Sequence, residues 1–404
     1  MAALFKNKVY LVVVVAHFVI DVFNSSGPVL VTFLSVPMKM SAAQIGLAVG
    51  GYQFFAALTQ PLFGWLADRV GSRWLGPGSV TWTIGFLVLS LVAADRTGNF
   101  WLFLAMFVLA SVGSSAFHPL GTKHAADEVA HIAATGTAVF FLFGQTGLAT
   151  GPILTGIILD ISGTAGLYLL ALMAVPYLIF MAIALRGVRP DAHAHHTSAS
   201  AATAKKIIRW GAISVLALLM GLRSWAFLGT VTFLPKLFQE MGWEATGYGF
   251  ITGTFWMASA ITGVLAGNLA DRYGRRQVVF ATLLIGSIPL YFLPLTDGWM
   301  AFPLAIIAGG LLGASHSILV VISQAILPGK KAFTSGVTLG YLFGTGALAA
   351  WLIGSMADTW GLAPIIQAGT LAGVAAALLA FALPSTRQPT QTSAEQPEAV
   401  PVKL

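Results

Sequence analysis

The sequence predicts an all-α integral membrane protein whose twelve transmembrane helices form two pseudo-symmetric six-helix bundles. Three observations carry this prediction: the composition, the spacing of apolar runs and an internal repeat. Of the 404 residues, 57% are hydrophobic and only 9% are charged, against about 25% charged in a soluble domain. A soluble fold of this length could not cover so much apolar surface, so the chain is expected to lie in a lipid bilayer.

The internal repeat indicates two homologous halves. The pattern G-x-L-A-D-R-x-G-x-R occupies residues 64–73 and again residues 267–276. The segment from Gly156 to Asp160 pairs in the same way with the segment from Gly354 to Asp358. Parallel halves with a site at their interface are a standard construction of secondary transporters.

Each predicted span is a run of about 20 mostly apolar residues, the length that crosses the hydrocarbon core of a bilayer. In the first half the runs are residues 9–35, 44–67, 74–94, 98–119, 132–158 and 165–186. In the second half they are residues 209–237, 246–270, 277–295, 299–327, 333–357 and 362–383. We number them as spans 1 to 12.

The basic residues predict the orientation. Most of the 21 Lys and Arg residues fall in loops on one side, whereas the other side holds only Lys39, Arg96 and Lys236. Basic loops stay in the cytoplasm, so both termini are expected to be cytoplasmic. These loops also explain the net charge of +7, and no nucleic-acid partner is expected.

The predicted domains are an N-terminal bundle at residues 1–189 and a C-terminal bundle at residues 209–384. A polar, small-residue linker at 190–208 joins them, and a disordered tail rich in Pro, Gln, Thr and Glu follows at 385–404. His193, His195 and His196 of the linker form a motif that can bind a metal ion. In a flexible segment such a motif more often only solvates the loop, so no metal site is predicted. The chain has no cysteine, which excludes disulfides and thiol chemistry.

The repeated motif, between spans 2 and 3 and again between spans 8 and 9, resembles that of the major facilitator superfamily, over about residues 9–383. Within it, shorter segments resemble the fosmidomycin-resistance family of bacterial exporters. They are His17-x3-Asp21 with Asn24-Ser25, residues 113–119 (GSSAFHP), Gln324 with residues 327–330 (LPGK), Ser335-Gly336 and Phe343-Gly344. The resemblance implies a monomer that exports small drugs, including a phosphonate antibiotic, in exchange for protons.

The chain departs from the family pattern in two places. Many drug–proton antiporters carry an Arg in span 4, but none lies between Phe100 and His118. The segment Gly147-x3-Gly151-Pro152 does resemble the antiporter motif of span 5, yet the second half has no proline at the matching place. The resemblance therefore supports export more firmly than it supports one proton path.

Asp21 and Arg223 lie near the middle of spans 1 and 7, at nearly equivalent places in the two halves. An ionisable group at that depth costs roughly 2.5–3.5 kcal/mol to insert, so each needs a role. His17 and Asn24 share the helix face of Asp21. We expect Asp21 to carry the proton and Arg223 to anchor an anionic or polar substrate, with Asp21 and the substrate competing for Arg223. The alternative is a fixed buried ion pair that holds the halves in register.

Other polar and aromatic residues complete the predicted pocket, because small-molecule sites are mostly apolar with a few placed polar groups. His118, near the end of span 4, either relays a proton or bonds a carbonyl freed by Pro119, and His316 is its approximate counterpart. Proton coupling is assigned to Asp21, His17 and His118. Substrate binding is assigned to Arg223, Asn24, Tyr52, Gln53, Gln145, Trp225, Trp256, His316 and Tyr341.

The repeated motif predicts gates at the cytoplasmic ends of spans 2 and 8. Its carboxylates can cap a neighbouring helix or pair with arginines, and its glycines allow close helix contact. The resemblance implies clusters that latch the outward-open state; topology control alone is the alternative, but it leaves the carboxylates unexplained. The predicted gating residues are Gly64, Asp68, Arg69, Arg73, Gly267, Asp271, Arg272 and Arg275.

The sequence contains none of the catalytic motifs HExxH, paired Cys ligands or a hydrolase serine elbow, and its glycine run at 309–313 has no nucleotide-loop context. We therefore expect no enzyme activity and no cofactor, and a proton gradient as the energy source. Two alternatives remain open. One is proton-coupled uptake of a small organic acid. The other is a non-transporting membrane sensor or assembly factor, which would not need Asp21, Arg223 and both gates together.

Overall fold

The computed structural model describes residues 6–70, 72–186, 209–328 and 331–384, which form helices and short connections with no strand among them. The α-helices are α1 (Lys8–Ser25), α2 (Gly27–Ser35), α3 (Ala42–Val70), α4 (Ser72–Thr97), α5 (Phe100–Asp127), α6 (Ala133–Met173), α7 (Val175–Ala184), α8 (Trp210–Ser224), α9 (Thr230–Glu240), α10 (Ala245–Tyr273), α11 (Arg275–Phe292), α12 (Ala301–Ile326), α13 (Lys331–Trp360) and α14 (Leu362–Leu379). The predicted linker with its three histidines and the predicted tail lie outside the described residues, so the domain boundaries stay predictions.

Ten stretches of the described residues are long and apolar enough to cross a membrane. Helix α3 is not among the ten, although it has 29 residues. One stretch, Thr135–Ala184, contains two predicted spans, and within it Gly163 leaves helical geometry with φ 58° and ψ −153°, which glycine adopts without steric cost. Dividing this stretch and including α3 gives twelve crossings, so the predicted number fits the fold.

The first and seventh crossings are both interrupted near their middle. Helix α2 starts directly after α1, with Pro28 in its first turn, where its missing N–H costs little. Between α8 and α9, residues Trp225–Gly229 form a π-helical turn, a feature frequent at functional sites. Asp21 and Arg223 lie shortly before these two interruptions.

Two helix pairs join the halves, α3 with α13 and α6 with α10. We call these contacts the two seams. Glycines let the backbones approach closely. A β-carbon on Gly46 of α3 would clash with the carbonyl of Ala350 of α13, and one on Gly249 of α10 would lie 2.5 Å from the carbonyl oxygen of Pro152 of α6. The seams are therefore contacts of backbone on backbone.

The seams are tight at one end of the bundle, the end at which α3 and α10 begin. We call it the outer end and the opposite one the inner end. The described glycines that approach the opposite half are Gly46, Gly50, Gly156, Gly249, Gly253 and Gly354, all in the outer part of their helices. Farther in, a β-carbon on Gly263 or Gly336 would have no neighbour within 4 Å. At the outer end α2 also packs on α9, where Gln239 donates to the Thr32 carbonyl at 3.1 Å. The outer end is closed.

Candidate functional site

The N-terminal half holds a buried carboxylate between two imidazoles. Asp21 is 5% exposed. Its Oδ2 lies 3.2 Å from His17 Nε2, and its Oδ1 lies 3.3 Å from His118 Nε2. His17 is one turn before Asp21 on α1, whereas His118 belongs to α5. The fold thus brings together the three residues predicted to couple protons, which we call the Asp21 cluster.

Backbone carbonyls orient both imidazoles. His17 Nδ1 lies 2.8 Å from the carbonyl oxygen of Phe140, and His118 Nδ1 lies 2.8 Å from that of Ser114. A carbonyl oxygen only accepts hydrogen bonds, so each Nδ1 carries a hydrogen and each Nε2 faces Asp21. Each hydrogen bond between an Nε2 and the carboxylate therefore requires one further proton, on the nitrogen or on the oxygen. The cluster is therefore built to hold one or two exchangeable protons.

The members of the Asp21 cluster differ in their access to solvent. Their ligand atoms lie within 4.8 Å of one another, close enough to share one cation, either a proton or a metal ion. The side chain of His118 is 26% exposed, against 4% for His17 and 7% for Asp21. His118 is therefore the most accessible member of the cluster.

Asn24 and Tyr52, both predicted to bind substrate, are hydrogen-bonded into the Asp21 cluster. Asn24 Nδ2 donates to Asp21 Oδ1 at 2.9 Å and to Ser114 Oγ at 2.8 Å. The Tyr52 hydroxyl donates to Asn24 Oδ1 at 2.5 Å. Tyr52 lies on α3, the helix that forms a seam with α13. The chain of hydrogen bonds thus runs from the carboxylate to a seam helix.

Glycines of α6 let α1 come close enough to build the cluster. A β-carbon on Gly147 would lie 3.0 Å from the Cβ of Asp21, and one on Gly144 would clash with the ring of His17. The Phe140 ring stacks on His17 with 3.9 Å between centroids. The first glycine of the antiporter-like motif thus gives the carboxylate the space that it occupies.

The C-terminal half holds a buried guanidinium. Arg223 is 1% exposed, and its Nε donates to Ser315 Oγ at 3.2 Å. Its Nη2 lies 3.4 and 3.5 Å from the carbonyl oxygens of Leu312 and Gly313, and its Cζ lies 4.5 Å from the centroid of the Phe227 ring. None of the ion pairs among the described residues includes Arg223. Its charge is therefore not neutralised by a carboxylate among the described residues.

Asp21 and Arg223 do not pair in this structure. No ion pair of 4.0 Å or less joins them in the described ranges. Each has its partners in its own half, so neither the fixed ion pair nor direct competition of Asp21 for Arg223 is present in this conformation. The positions of the two residues within spans 1 and 7 predict a similar depth in the membrane. They do not predict the distance between the two helices, which depends on tertiary packing.

The two predicted tryptophans have different surroundings. The Trp256 ring packs edge-on against Phe227, with 5.5 Å between centroids, and Phe227 is the ring that lies against the Arg223 guanidinium. Trp225 lines an apolar groove of about 310 Å³ with residues of α13 and α14, and Arg223 is not among the lining residues.

Two of the remaining predicted pocket residues, His316 and Tyr341, lie near Arg223. His316 is half-buried on α12, next to Ser315, and interacts electrostatically with Arg223. The Tyr341 hydroxyl donates at 3.0 Å to the carbonyl of Ala217, on the same helix as Arg223. Gln145 is half-buried on α6. Gln53 holds a buried Oε1 that has no hydrogen-bond partner among the described residues, so it offers a free acceptor next to Tyr52.

The predicted gating residues of the second half are not latched in this structure. Asp271 and Arg272 are exposed, and Arg275 is half-buried. No ion pair among the described residues joins them. A β-carbon on Gly267 would meet nothing within 4 Å, so the contact expected of this glycine is absent. The described residues thus show no ion-pair latch at this part of the inner end.

The gate of the first half is only partly described. The side chains of Asp68 and Arg69 lie outside the described residues. The guanidinium of Arg73 lies 5.1 Å from the ring centroid of Trp74. A β-carbon on Gly64 would lie 3.7 Å from Pro119 of its own half, so this glycine packs within the N-terminal bundle.

Two carboxylates at the outer end bond across the seams, and sequence reasoning had treated them only as markers of the repeat. Asp358 of α13 accepts hydrogen bonds from the backbone N–H groups of residues 42 and 43 of α3. Asp160 of α6 accepts from those of residues 245 and 246 of α10. Both lie where the glycine contacts of the seams are tightest.

This geometry defines a class of protein: a helical membrane transporter of two symmetric halves with opposite charges near its middle. The chain belongs to the Major Facilitator Superfamily, whose sequence model matches residues 9–247 and 216–404. The predicted superfamily and the all-helical fold are thereby confirmed, and the family points to a transporter rather than an enzyme.

The relatives are bacterial transporters of similar length. The chain is 26% identical to the uncharacterized MFS-type transporter YfnC of Bacillus subtilis (strain 168), over 94% of this chain and 93% of that one. It is 25% identical to the fosmidomycin resistance protein of Escherichia coli (strain K12), over 85% and 84%. It is also 25% identical to the gentisate transporter of Corynebacterium glutamicum, over 87% and 80%.

A solved structure shares the fold. The crystal structure of a bacterial homologue of the human lysosomal transporter Spinster, in an inward-facing and occupied conformation, superposes with a TM-score of 0.76. The match covers 94% of this chain and 96% of that one at 17% sequence identity. The likeness extends over both halves.

Proposed function

We propose that this protein is a proton-coupled antiporter that exports small anionic or drug-like compounds of the fosmidomycin type by alternating access. The observation that carries the proposal is the buried Asp21 cluster in one half together with Arg223, which has no carboxylate partner among the described residues, in the other. The fosmidomycin resistance protein among the relatives supports the substrate class. The proton gradient supplies the energy, and no cofactor takes part.

Arg223 binds the anionic group of the substrate. Its Nη2 contacts to two carbonyl oxygens are 3.4 and 3.5 Å long, beyond the usual range for N–H···O bonds. A carboxylate or phosphonate replaces these weak contacts with charge-assisted bonds worth roughly 1.5–3 kcal/mol each. Phe227 and Trp256 supply the apolar wall that such sites require.

Coupling occurs at His118, the accessible imidazole of the cluster. Its Nδ1 already donates to a carbonyl, so its Nε2 can accept a hydrogen bond only after losing its own proton. A hydroxyl or N–H group of the substrate that donates to Nε2 therefore binds only the deprotonated imidazole, and the proton leaves to water on the open side. Proton and substrate exclude each other at one atom, which yields exchange when the two sides are exposed in turn.

The test is proton movement in proteoliposomes that hold purified protein and a pH-sensitive dye. Fosmidomycin should drive protons in the opposite direction with wild type and not with Asp21→Asn. The matched control is Asp95→Asn, since Asp95 is an exposed carboxylate bonded to Thr164 and Tyr168 within its own half. Flux retained in Asp21→Asn would show that proton exchange at the imidazoles does not need the carboxylate. Absence of flux with fosmidomycin would refute the substrate class.

Proton-coupled uptake of a small organic acid is the second candidate, and one observation favours it. Because Asp21 and Arg223 do not contact each other, a protonated cluster attracts an anion at Arg223 instead of competing with it. Proton and anion would then move together. The gentisate transporter among the relatives supports this direction. In the same assay, gentisate and protons moving in the same direction would establish uptake, and no flux with any compound would favour the sensor.

We further propose that the protein works as a monomer in a bacterial inner membrane, with both termini in the cytoplasm. The chain has no cysteine, so a single introduced cysteine reports its own side of the membrane. In whole cells, a membrane-impermeant maleimide should label Trp299→Cys and leave Lys8→Cys unlabelled. The reverse pattern would invert the proposed orientation.

A further inference from the structure

We propose that Asp160 and Asp358 form a pair of latches that hold the outer end closed and that break each time it opens. Asp358 Oδ1 and Oδ2 lie 2.7 and 3.1 Å from the backbone nitrogens of residues 42 and 43. Asp160 Oδ1 and Oδ2 lie 2.9 and 2.6 Å from those of residues 245 and 246. Each carboxylate thus joins one half of the molecule to the first turn of a helix in the other.

The first N–H groups of a helix suit these carboxylates, because they have no partner within the helix and carry partial positive charge. At the start of α10, Glu244 makes no capping bond with its side chain. At the start of α3, the Ser41 hydroxyl accepts only from the N–H of Gln44. In both helices the acceptor for the first two N–H groups comes from the opposite half.

The two latches are built from one motif. The spacing Gly-x3-Asp-x2-Gly occupies residues 156–163 and 354–361. A β-carbon on the first glycine, Gly156 or Gly354, would clash with the carbonyl of the first residue of the facing helix. The aspartate lies one turn farther on, level with the free N–H groups. The last glycine, Gly163 or Gly361, has φ of 58° or 80° and breaks the helix.

The same spacing occurs twice more, at residues 64–71 and 267–274, in the predicted gates of the inner end. The motif therefore recurs every three crossings, at the ends of the second, fifth, eighth and eleventh crossings. At the outer end, where the halves meet, both of its carboxylates are bonded across a seam. At the inner end Asp271 is exposed, and no ion pair among the described residues includes it. The outer pair is thus bonded in the conformation in which the outer end is closed.

The latches are weak enough to be reversible. Asp160 and Asp358 are exposed, so after opening, water can solvate the carboxylates as well as the N–H groups. Removing a helix cap of this kind changes an equilibrium by about fivefold. Two independent latches contribute about 25-fold together, because effects at well-separated sites add in free energy.

The experiment measures distances between spin labels across the outer end. Labels on Val36→Cys and Trp299→Cys report the separation of the halves, since these exposed residues lie at the outer end of opposite halves and no native cysteine competes. Asp160→Ala and Asp358→Ala should each raise the long-distance population about fivefold, and the double variant about 25-fold. Asp95→Ala, at the same end but bonded within one half, should leave the distribution unchanged.

An unchanged distribution in the double variant would overturn the proposal, and so would an equal shift in Asp95→Ala. Helix content and thermal unfolding in detergent establish that each variant is folded. If the double variant does not fold, the two single variants still decide the matter. The measurement needs neither substrate nor proton gradient, so its outcome is independent of the proposed transport reaction.

Discussion

The two halves of the molecule share a repeat and a fold, but they carry opposite charges. In the N-terminal half, Asp21 bonds to His17, His118 and Asn24. In the C-terminal half, the guanidinium of Arg223 contacts a hydroxyl, two carbonyls and an aromatic ring. The carboxylate has titratable partners, whereas the guanidinium has none among these contacts.

The difference indicates a division of labour within the repeat. The seam glycines are kept in both halves, since Gly46 and Gly50 of α3 occupy the same places as Gly249 and Gly253 of α10, four and eight residues from the helix start. The site residues are not kept. The repeat preserves the surfaces on which the halves meet, whereas each half has its own charged site, which we propose to serve protons in the N-terminal half and anions in the C-terminal half.

The largest effect is expected from a substitution of Asp21 in the N-terminal half. Asp21→Asn should lower proton-driven transport by about 100-fold or more, because it removes the charged partner shared by two imidazoles. For the antiporter, substrate binding to wild type should tighten as pH rises between about 5 and 8, where histidine titrates. Binding to Asp21→Asn should vary less with pH, because the imidazoles lose the carboxylate that favours their charged form. Titrations of intrinsic tryptophan fluorescence at a series of pH values measure substrate binding to wild type and to Asp21→Asn. Tightening as pH falls would favour uptake.

The next largest effect is expected from a substitution of Arg223 in the C-terminal half, which should leave the Asp21 cluster intact. Arg223→Gln should weaken substrate binding by roughly 10–100-fold at every pH, the loss of one charge-assisted interaction. Arg223→Lys should recover little, because an ammonium cannot reproduce the planar fork of the guanidinium. The same fluorescence titrations apply, with Lys236→Gln as the control, since Lys236 pairs with Glu240 away from the site. Full affinity in Arg223→Gln would remove Arg223 from the site.

The smallest effect is expected from a substitution of Tyr52, which tests the hydrogen bonds that surround Asp21 in the N-terminal half. Tyr52→Phe removes the hydroxyl that donates to Asn24, which in turn donates to Asp21. The carboxylate is then less well stabilised, so the cluster should hold its proton about fivefold more tightly, the value of one ordinary hydrogen bond. The pH at which transport is half-maximal should rise accordingly. Tyr177→Phe is the control, because its hydroxyl bonds to the carbonyl of Val12; an equal shift there would contradict a specific role of Tyr52.

The fold and the residues on one face of α1 could be predicted from the sequence, because both follow from local patterns along the chain. Apolar runs and a repeat are sufficient to predict two membrane bundles, because a bilayer leaves few other folds. Helical spacing correctly placed His17 and Asn24 beside Asp21, since residues three and four apart share a face. The contact of His118 with Asp21 depends on how α5 packs against α1, and no spacing along one helix contains that information.

The expectation that Asp21 and Arg223 interact directly rested on depth alone, and the structure keeps them apart. Asp160 and Asp358 were missed for a different reason. Their glycine and aspartate spacing matches the gating motif, but the arginine that makes that motif conspicuous is absent from both. A search for the spacing Gly-x3-Asp-x2-Gly, without the arginine, would have found all four copies.

The backbone-on-backbone contacts of the seams have a consequence for how such proteins diversify. A contact made by glycine and carbonyl groups, such as Gly46 on Ala350, does not depend on the identity of neighbouring side chains. The contacts between the halves are therefore independent of the side chains that form the site. Mutations that alter the site for a new substrate leave the seams unchanged, so the same arrangement of two halves can serve many compounds during evolution.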